Sequence, residues 1–303
     1  MELKPLTLKD KCLFDKFLSF MPYELSVYTF QDIYIWKGLF GIYWMIIAEN
    51  LCIFFKDKIG CFLYLAPLGK HSPPEVITKC FKIMDKFNRN KDISRIENVE
   101  DKDVSFYEKL GYECRYKSCD YVCQRIDLAQ LKGDKFKSKR AAFNYFSKHY
   151  QFEYLPFSLQ YRDDCLKLYN LWASERKSKN KDPLYQGMLG DNFSCLKIIM
   201  RDYPDLGLTG RIVKIGQDIS AFTFGFKLNK NTFCILYEIA DLSIKGLSQF
   251  IFRQFCSELK DYKYINIMDD SGLENLKKVK LSYHPVRLIP SYIVKRKNVP
   301  RPS

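Results

Sequence analysis

The chain has few of the residues and motifs on which metal- and nucleotide-dependent enzymes rely. Its 303 residues include only three histidines, His71, His149 and His284, which lie far apart in the sequence. None of them belongs to a recognisable nucleophile or metal motif, and no GxGxxG or GxxxxGK[ST] phosphate loop occurs. We therefore expect no metal site, no nucleotide hydrolysis and no dinucleotide redox chemistry.

Long apolar runs are also missing. The longest, residues 38–48, contains about 11 residues, whereas a membrane-spanning helix needs about 20. The polar opening, MELKPLTLKDKC, does not have the basic and then apolar layout of a signal peptide. The sequence thus predicts a cytoplasmic protein without a transmembrane segment, whose contact with the inner membrane face would be peripheral.

The eleven cysteines form no CxxC pair. Most lie in apolar or amphipathic runs, which is typical of reduced, buried thiols in a cytoplasmic protein. The densest group, Cys114, Cys119 and Cys123, has no histidine nearby and does not match zinc-ligand spacing. The cysteine pattern therefore predicts neither a disulfide framework nor a zinc site.

Positive charge is what the chain has in excess. The formal net charge is +14, which indicates anionic partners such as nucleic acid or lipid head groups. One stretch has Asp134 as its only acid and contains Lys132, Lys135, Lys137, Lys139, Arg140 and Lys148. Aromatic residues interleave with it, as they do at RNA-binding surfaces. The solvated face of an ordinary amphipathic helix would give the same pattern, so both interpretations stand.

The succession of helix and strand patterns indicates an α+β fold built from two units. In each half, helical patterns come first, and antiparallel strands, a helix and a further strand follow. A boundary is predicted near Leu128, where a short polar connector leads into the basic stretch. The predicted domains are therefore residues 1–128 and residues 129–303.

The stretch 233–285 contains the strongest candidates for chemistry. Its first strand is apolar and closes on Glu238, and a carboxylate at the end of a buried strand is rarely kept there without a partner. Glu238 is therefore either a working group or one half of an ion pair with a lysine. Further on, Gly246 opens a helix whose free N–H groups and positive dipole end form a general anion site.

The next strand of this stretch, residues 264–268, runs into the acidic turn Asp269-Asp270-Ser271-Gly272. Either Asp270 or Ser271 is placed to cap the helix predicted over 273–279. Capping is the structural explanation for the aspartates of this turn. Asp270 is thus interpreted either as a helix cap or as a residue of a site.

Several residues of this stretch follow one another in a specific order: Glu238, Ala240-Asp241, Gly246, Asn266, Asp270, Gly272 and Lys278-x-Lys280-Leu281-Ser282-Tyr283-x-Pro285. In this order they resemble a bacterial family related to the C-terminal catalytic domain of phosphatidylglycerol lysyltransferase. The similarity continues at Phe30-x-x-x-Tyr34-x-Trp36, Pro67-x-Gly69, Asp120-Tyr121-Val122 and Lys139-Arg140-x-x-x-Asn144-x-Phe146. It therefore covers nearly the whole chain.

The resemblance implies two GNAT-like (acyl-CoA N-acyltransferase-like) folds in tandem, joined by a basic helix. It also implies an aminoacyltransferase that moves an amino acid from aminoacyl-tRNA to a phosphatidylglycerol-like lipid or to another amine or hydroxyl acceptor. Such an enzyme aligns the acceptor and stabilises the oxyanion, because the amino acid already arrives as an ester. The expected partners are tRNA and anionic lipid, with no resident cofactor.

The resemblance also implies roles for single residues. Glu238 would orient the aminoacyl amine or act as a base, and Lys280 would neutralise developing charge. With Asp270 they are the expected catalytic residues. The expected substrate-binding residues are Asn266, Tyr283, Asp241 and Gly246. The expected tRNA- or anion-binding residues are Lys135, Lys137, Lys139, Arg140 and Asn144.

Three positions depart from the pattern of this family. Ala141 stands where the family usually has asparagine, Ile239 where it often has lysine, and Ile267 where it has an arginine that could hold a carboxylate or phosphate. These departures keep two other hypotheses open. One is an N-acyltransferase that uses acetyl-CoA at the helix start at Gly246, and the other is a non-catalytic protein that binds RNA or a membrane surface on a relic fold.

Overall fold

The structure, a computed structural model, describes residues 2–71 and 73–297. In these two ranges the α-helices are α1 (Lys11–Leu18), α2 (Phe30–Ile35), α3 (Pro74–Phe87), α4 (Asp101–Lys109), α5 (Arg125–Gln130), α6 (Lys137–His149), α7 (Arg162–Lys179), α8 (Pro183–Leu206), α9 (Leu247–Glu258) and α10 (Glu274–Leu281). The strands are β1 (Lys4–Pro5), β2 (Gly41–Ile47), β3 (Asn50–Lys56), β4 (Cys61–Leu63), β5 (Ile96–Glu100), β6 (Tyr112–Gln124), β7 (Glu153–Pro156), β8 (Thr209–Ile215), β9 (Asp218–Lys227), β10 (Thr232–Ala240), β11 (Tyr264–Asn266) and β12 (Arg287–Arg296).

The chain forms two compact units. The first takes in the chain up to Asp120, the segment Asp269–Gly272 and the chain from Leu288 on, and the second comprises Tyr121–Met268 and Leu273–Arg287. The division between these units lies within the long strand β6. The second half of the sequence also contributes to the first unit, because β12 pairs with β5.

In the first unit the strands lie in the order β1-β2-β3-β4-β5-β12-β6. The pairs β1–β2, β2–β3, β3–β4 and β5–β12 are antiparallel, whereas β4 and β5 are parallel. Strands β2 and β3 form a hairpin that turns at Ala48 and Glu49, which have φ values of 42° and 62°. Two positive φ values in a two-residue turn match the twist of the flanking strands.

In the second unit the order is β6-β11-β10-β9-β8-β7, with β10 and β11 parallel and the other pairs antiparallel. Strands β8, β9 and β10 are consecutive neighbours in this sheet. Helix α8 spans 24 residues. Asp182 caps its start by accepting from the Leu184 N–H, and Gly207 ends it in the left-handed conformation.

Helices α6 and α9 pack on one face of the second unit's sheet. Phe146 of α6 and Phe250 of α9 lie in one buried cluster with Ala240 of β10. Tyr237 belongs to the opposite face, where its hydroxyl donates to the Asn192 carbonyl of α8. Because side chains alternate along a strand, Glu238 is on the face of β10 that α6 and α9 cover.

Two local predictions are wrong. The strand predicted to continue to Met268 ends at Asn266, because the Asn266 side chain accepts from the Met268 N–H at 2.7 Å and Met268 has a φ of 61°. Helix α10 begins after Leu273 without any side-chain cap. Asp270 instead accepts from the N–H of Gly272 at 2.9 Å, so it stabilises the turn and does not cap the helix.

Two general expectations from the sequence can be compared with the described residues. All cysteines except Cys12 and Cys114 are buried, as their apolar context predicts. No helix in residues 2–71 or 73–297 combines the length and the apolarity that crossing a bilayer requires. The strand β12 and the helix α5 were not predicted.

Candidate functional site

Glu238 is the centre of the candidate site. It lies near the end of β10, opposite Thr223 of β9. Loss of hydration raises the pKa of its carboxyl group to about 8, and the positive charge of Lys139 counteracts part of this rise. The carboxylate makes no hydrogen bond or ion pair with any residue that the structure describes. A carboxyl group whose pKa is close to neutral can both accept and release a proton at physiological pH.

Lys139 of α6 is near enough to Glu238 for its charge to lower the pKa of that carboxyl group. Its ammonium donates to Ser282 Oγ at 2.8 Å and lies 3.7 Å from the centroid of the Tyr283 ring. Loss of hydration lowers the pKa of Lys139, and the charge of Glu238 opposes that decrease. Lys139, which the resemblance assigned to tRNA, is thus part of the Glu238 site.

The helical period of α6 contains the signal for this placement. Lys139 precedes Phe143 and Phe146 by four and seven residues, so the three side chains share one face of the helix. Phe143 stacks on Phe250 of α9 with ring centroids 5.6 Å apart, and Phe146 is fully buried. A lysine on the apolar face of a helix could have been recognised as an inward-pointing cation.

Tyr283 completes the group around Glu238. It is only 8% exposed, and its ring packs on Phe252 of α9 with centroids 4.5 Å apart. Burial and, secondarily, the charge of Glu238 hold the pKa of its phenol well above the usual range. Its hydroxyl therefore stays protonated and can act as a hydrogen-bond donor.

Two buried cysteines, to which the sequence analysis gave no role in the site, are near enough to this group to be affected by its charges. Burial, followed by the charge of Glu238, raises the pKa of Cys256 well above its usual value. Burial raises the pKa of Cys123 to about 12, and Lys139 and Lys280 act in the opposite direction. Both therefore remain neutral thiols and are poor nucleophiles. They line the site with a medium of low polarity, in which the charges of Glu238 and Lys139 interact strongly.

Lys280 and Asn266 contact the same short backbone segment. The Lys280 ammonium donates to the carbonyl of Ile267 at 2.5 Å, and the fully buried Asn266 accepts from the N–H of Met268. Both side chains hold the chain where β11 ends. Lys280 is also close enough to Cys123 to affect its pKa, which places it next to the Glu238 group.

Asp241 and Gly246 have local structural contacts. Asp241 accepts from the backbone N–H and the hydroxyl of Ser243 at 2.8 and 2.6 Å, and so stabilises the turn after β10. Gly246 has a φ of 86°, and a Cβ atom there would lie 2.2 Å from the carbonyl oxygen of Ala142. The glycine therefore permits the close approach of α6 to the start of α9.

Asp270 has a different location. It lies in the segment Asp269–Gly272, which belongs to the first unit, and its contact with Gly272 closes a turn. Glu238, Lys139, Tyr283 and Lys280 all belong to the second unit. The group assembled around Glu238 thus consists of residues of the second unit, and Asp270 is outside that unit.

The basic stretch at the start of α6, here called the basic connector, contains Lys135, Lys137, Lys139, Arg140 and Asn144. Some of these side chains are exposed, and others form contacts within the protein. Lys137 and Asn144 are exposed on α6, and Lys135 is exposed with its ammonium 3.6 Å from the Asp127 carboxylate. Arg140 Nη1 donates to the carbonyls of Leu131 and Gly133. Arg140 therefore holds the turn before α6, in which Leu131 and Gly133 both have positive φ.

The candidate site contains charged and hydrogen-bonding side chains. In the described ranges, no group of three or more histidine, cysteine, aspartate or glutamate side chains is arranged to hold a metal ion. The site offers a titratable carboxyl, an ammonium and a phenol donor close together. Such a set can move a proton and stabilise a developing negative charge, which acyl transfer requires.

Comparison with known proteins identifies the family. The profile described as "Phosphatidylglycerol lysyltransferase, C-terminal" matches residues 20–295. The chain belongs to this family. The family resemblance predicted from the sequence is thus confirmed. Among curated proteins, the sequence search finds no match.

Solved structures agree with this membership. A conserved protein of unknown function from Bacteroides thetaiotaomicron VPI-5482 is 28% identical, with a TM-score of 0.87 over 98% of this chain and 100% of that one. L-PGS from Bacillus licheniformis is 16% identical, with a TM-score of 0.67 over 98% and 94% of the two chains. A tandem GNAT protein from the clavulanic acid biosynthesis pathway is 8% identical, with a TM-score of 0.51 over 98% and 99%.

These comparisons establish the fold class. The chain consists of two GNAT-like α+β folds in tandem, as predicted. Family and fold together relate it to lysylphosphatidylglycerol synthases and to GNAT acyltransferases.

Proposed function

We propose that this protein is an aminoacyltransferase that moves an amino acid from aminoacyl-tRNA to a hydroxyl or amine acceptor, with a phosphatidylglycerol-like lipid as the first candidate. Membership in the phosphatidylglycerol lysyltransferase C-terminal family supports the reaction class. The observation that carries the proposal is the Glu238 carboxyl group, which has a pKa of about 8 and lies under the influence of the Lys139 ammonium. This pair provides a proton acceptor and a cation in one site.

The proposed reaction is a transesterification or an aminolysis. The acceptor oxygen or nitrogen attacks the carbonyl carbon of the aminoacyl ester, and the bond between that carbon and the ribose oxygen of tRNA breaks. Glu238 in its ionised form takes the proton of the acceptor and returns it to the leaving ribose oxygen. A pKa of about 8 suits both steps, because a carboxyl near neutrality is neither too weak a base nor too weak an acid.

Lys139 and Tyr283 have complementary roles in this proposal. Negative charge develops on the carbonyl oxygen during attack, and donors fixed in a site of low polarity stabilise it. The Tyr283 phenol remains protonated because its pKa lies well above the usual range. Lys139 offsets the charge of Glu238 before the reaction and that of the oxyanion during it.

The basic connector supports tRNA as the donor. In the alternative, acetyl-CoA would bind at the start of α9, where α6 packs so closely that a Cβ atom at Gly246 would lie 2.2 Å from the Ala142 carbonyl oxygen. The exposed cations of the connector, Lys135 and Lys137, remain available to the phosphates of tRNA.

The proposal is tested by offering both donors to the same enzyme. Labelled amino acid on tRNA and labelled acetyl-CoA are each incubated with the protein and a lipid or amine extract. We expect label to move from tRNA only, and Glu238→Gln to lower this transfer by about 10²-fold or more without loss of folding, since loss of a general base has this effect. Glu153→Gln is the matched control, because Glu153 is an exposed carboxylate of the same unit, 4.0 Å from Lys214.

Three other results of this experiment would contradict the proposal. Transfer from acetyl-CoA that depends on Glu238 would replace the proposal with an acyl-CoA-dependent N-acyltransferase. Transfer from neither donor, together with binding of tRNA or anionic vesicles, would favour a non-catalytic protein. Equal activity of the Glu238→Gln and Glu153→Gln proteins would remove Glu238 from the reaction.

A further inference from the structure

A pocket of about 280 Å³ opens in the first unit where two parallel strands separate. Strands β4 and β5 share one paired position, Leu63 with Ile96. After this pair, the Asn98 side chain donates to the Tyr64 carbonyl at 3.0 Å, in place of a backbone hydrogen bond between the strands. The segments that follow the carboxyl ends of both strands line the pocket. Crevices at the carboxyl ends of parallel strands are preferred ligand sites in open α/β sheets.

Aromatic rings form much of the lining. Tyr23, Phe106 and Tyr107 contribute to it, and Tyr23 stacks on Tyr28 with centroids 4.2 Å apart. The Glu100 carboxylate accepts from the backbone N–H groups of Glu24 and Leu25 at 2.7 and 3.2 Å. The segment that carries Tyr23 is thereby fixed. The lining is thus a fixed apolar surface of the kind that small-molecule sites present.

Three charged side chains also line the pocket, and one of them is already paired. The Lys102 ammonium lies 2.5 Å from the Glu100 carboxylate. The other two, Lys70 and Asp103, form no ion pair or hydrogen bond with the residues that the structure describes. Partial burial raises the pKa of Asp103 above its usual value, against the influence of Lys102. One cation and one carboxylate are therefore left beside an aromatic surface.

We propose that this pocket binds an amino acid as its zwitterion. Lys70 pairs with the ligand carboxylate, Asp103 pairs with the ligand ammonium, and the rings of Tyr23, Phe106 and Tyr107 pack on its side chain. The volume supports a compact ligand, because it is at the lower end of the range for small-molecule sites, roughly 300–1,000 Å³. The site is in the first unit and does not depend on the reaction proposed for the second.

The test uses three related ligands that differ in charge. Phenylalanine carries both charges, phenethylamine lacks the carboxylate, and 3-phenylpropionate lacks the ammonium. Isothermal titration of the full-length protein is expected to show that phenylalanine binds more tightly than either analogue. Lys70→Met should weaken phenylalanine about tenfold or more and leave phenethylamine unchanged, whereas Asp103→Asn should weaken phenylalanine similarly and leave 3-phenylpropionate unchanged.

Matched controls separate this pattern from general effects of charge. Lys82 and Asp92 are exposed in the same unit and do not line the pocket, so Lys82→Met and Asp92→Asn should bind phenylalanine as the unchanged protein does. Thermal unfolding of each variant checks that it is folded. The proposal is overturned if neither phenylalanine nor leucine binds at about 10 mM. It is also overturned if the pocket variants weaken all three ligands equally.

Discussion

The Lys139 ammonium lies 3.7 Å from the centroid of the Tyr283 ring. The same ammonium lowers the pKa of Glu238, and the charge of Glu238 in turn raises the pKa of Tyr283. The three side chains therefore influence one another electrostatically, although they come from α6, β10 and the segment after α10. A change in any one of them should be measurable at the others.

Glu238→Gln is expected to stabilise the protein at high pH. The native-state pKa is about 8, and that of an unfolded glutamate is about 4.3. Between these two pKa values the native state holds the proton more tightly than the unfolded state does. The free energy of unfolding therefore falls as pH rises, and the full loss is reached above about pH 8. Glutamine is never charged and escapes this loss. We expect equal stability near pH 4 and roughly 5 kcal/mol more for the variant at pH 9, measured by urea unfolding.

The same measurement separates this interpretation from that of a structural ion pair. If Glu238 stabilised a buried partner, its replacement would lower stability at pH 9 by about 1–3 kcal/mol. A less stable Glu238→Gln variant at pH 9 would therefore contradict the arrangement described here. Glu153→Gln, which changes an exposed carboxylate, should show little difference at either pH.

Lys139→Met should raise the pKa of Glu238 further. The ammonium is the group that opposes the effect of burial on Glu238, so without it the ionised carboxylate is less stable. In a double-mutant cycle, Glu238→Gln should stabilise the Lys139→Met protein more than the unchanged protein, by about 0.5–1.5 kcal/mol at pH 9. Lys137→Met is the control on the same helix, and its exposed ammonium should not couple to Glu238.

Much of the fold follows from local patterns. The alternation of helix and strand patterns along the chain indicated two α+β units, and the fold class confirms them. Strand β12 was missed because its pairing with β5 joins residues about 190 positions apart, and no local pattern reports such a contact. A turn signal marks a connector, but not the strand to which the chain returns.

The candidate site was predicted less completely than the fold. Glu238 was identified because a carboxylate in an apolar strand is unusual in any context. Lys139 was assigned to tRNA by the family resemblance, and its helical phase with Phe143 and Phe146 was not used. Gly246 was interpreted as an anion site from its place at a helix start. Its close approach to Ala142 is a tertiary contact, which no local pattern reports.

Gly246→Ala is expected to destabilise the protein strongly. The new Cβ atom would lie 2.2 Å from the Ala142 carbonyl oxygen, and a residue with a φ of 86° is already strained for alanine. Gly216→Ala is the matched control, since Gly216 also has a positive φ, 61°, but nothing lies within 4 Å of its added Cβ. We expect losses of about 3 kcal/mol for Gly246→Ala and about 1 kcal/mol for Gly216→Ala. Equal losses would show that α6 does not approach α9 so closely.

Binding of tRNA should depend on the exposed cations of the connector and not on Lys139. Four phosphate contacts from Lys135, Lys137, Lys139 and Arg140 would give a slope of log affinity against log salt of about −3 to −4. The Lys139 ammonium already contacts Ser282 and the Tyr283 ring, so two or three phosphate contacts remain and the expected slope is about −2 to −3. Lys137→Met should reduce the slope by about one, because it removes one phosphate contact, while Lys139→Met should leave it unchanged. Filter binding of tRNA between about 50 and 200 mM salt measures the slope for each of the two variants. A Lys139→Met slope that falls as far as that of Lys137→Met would return Lys139 to the tRNA surface and separate it from the chemistry proposed for Glu238.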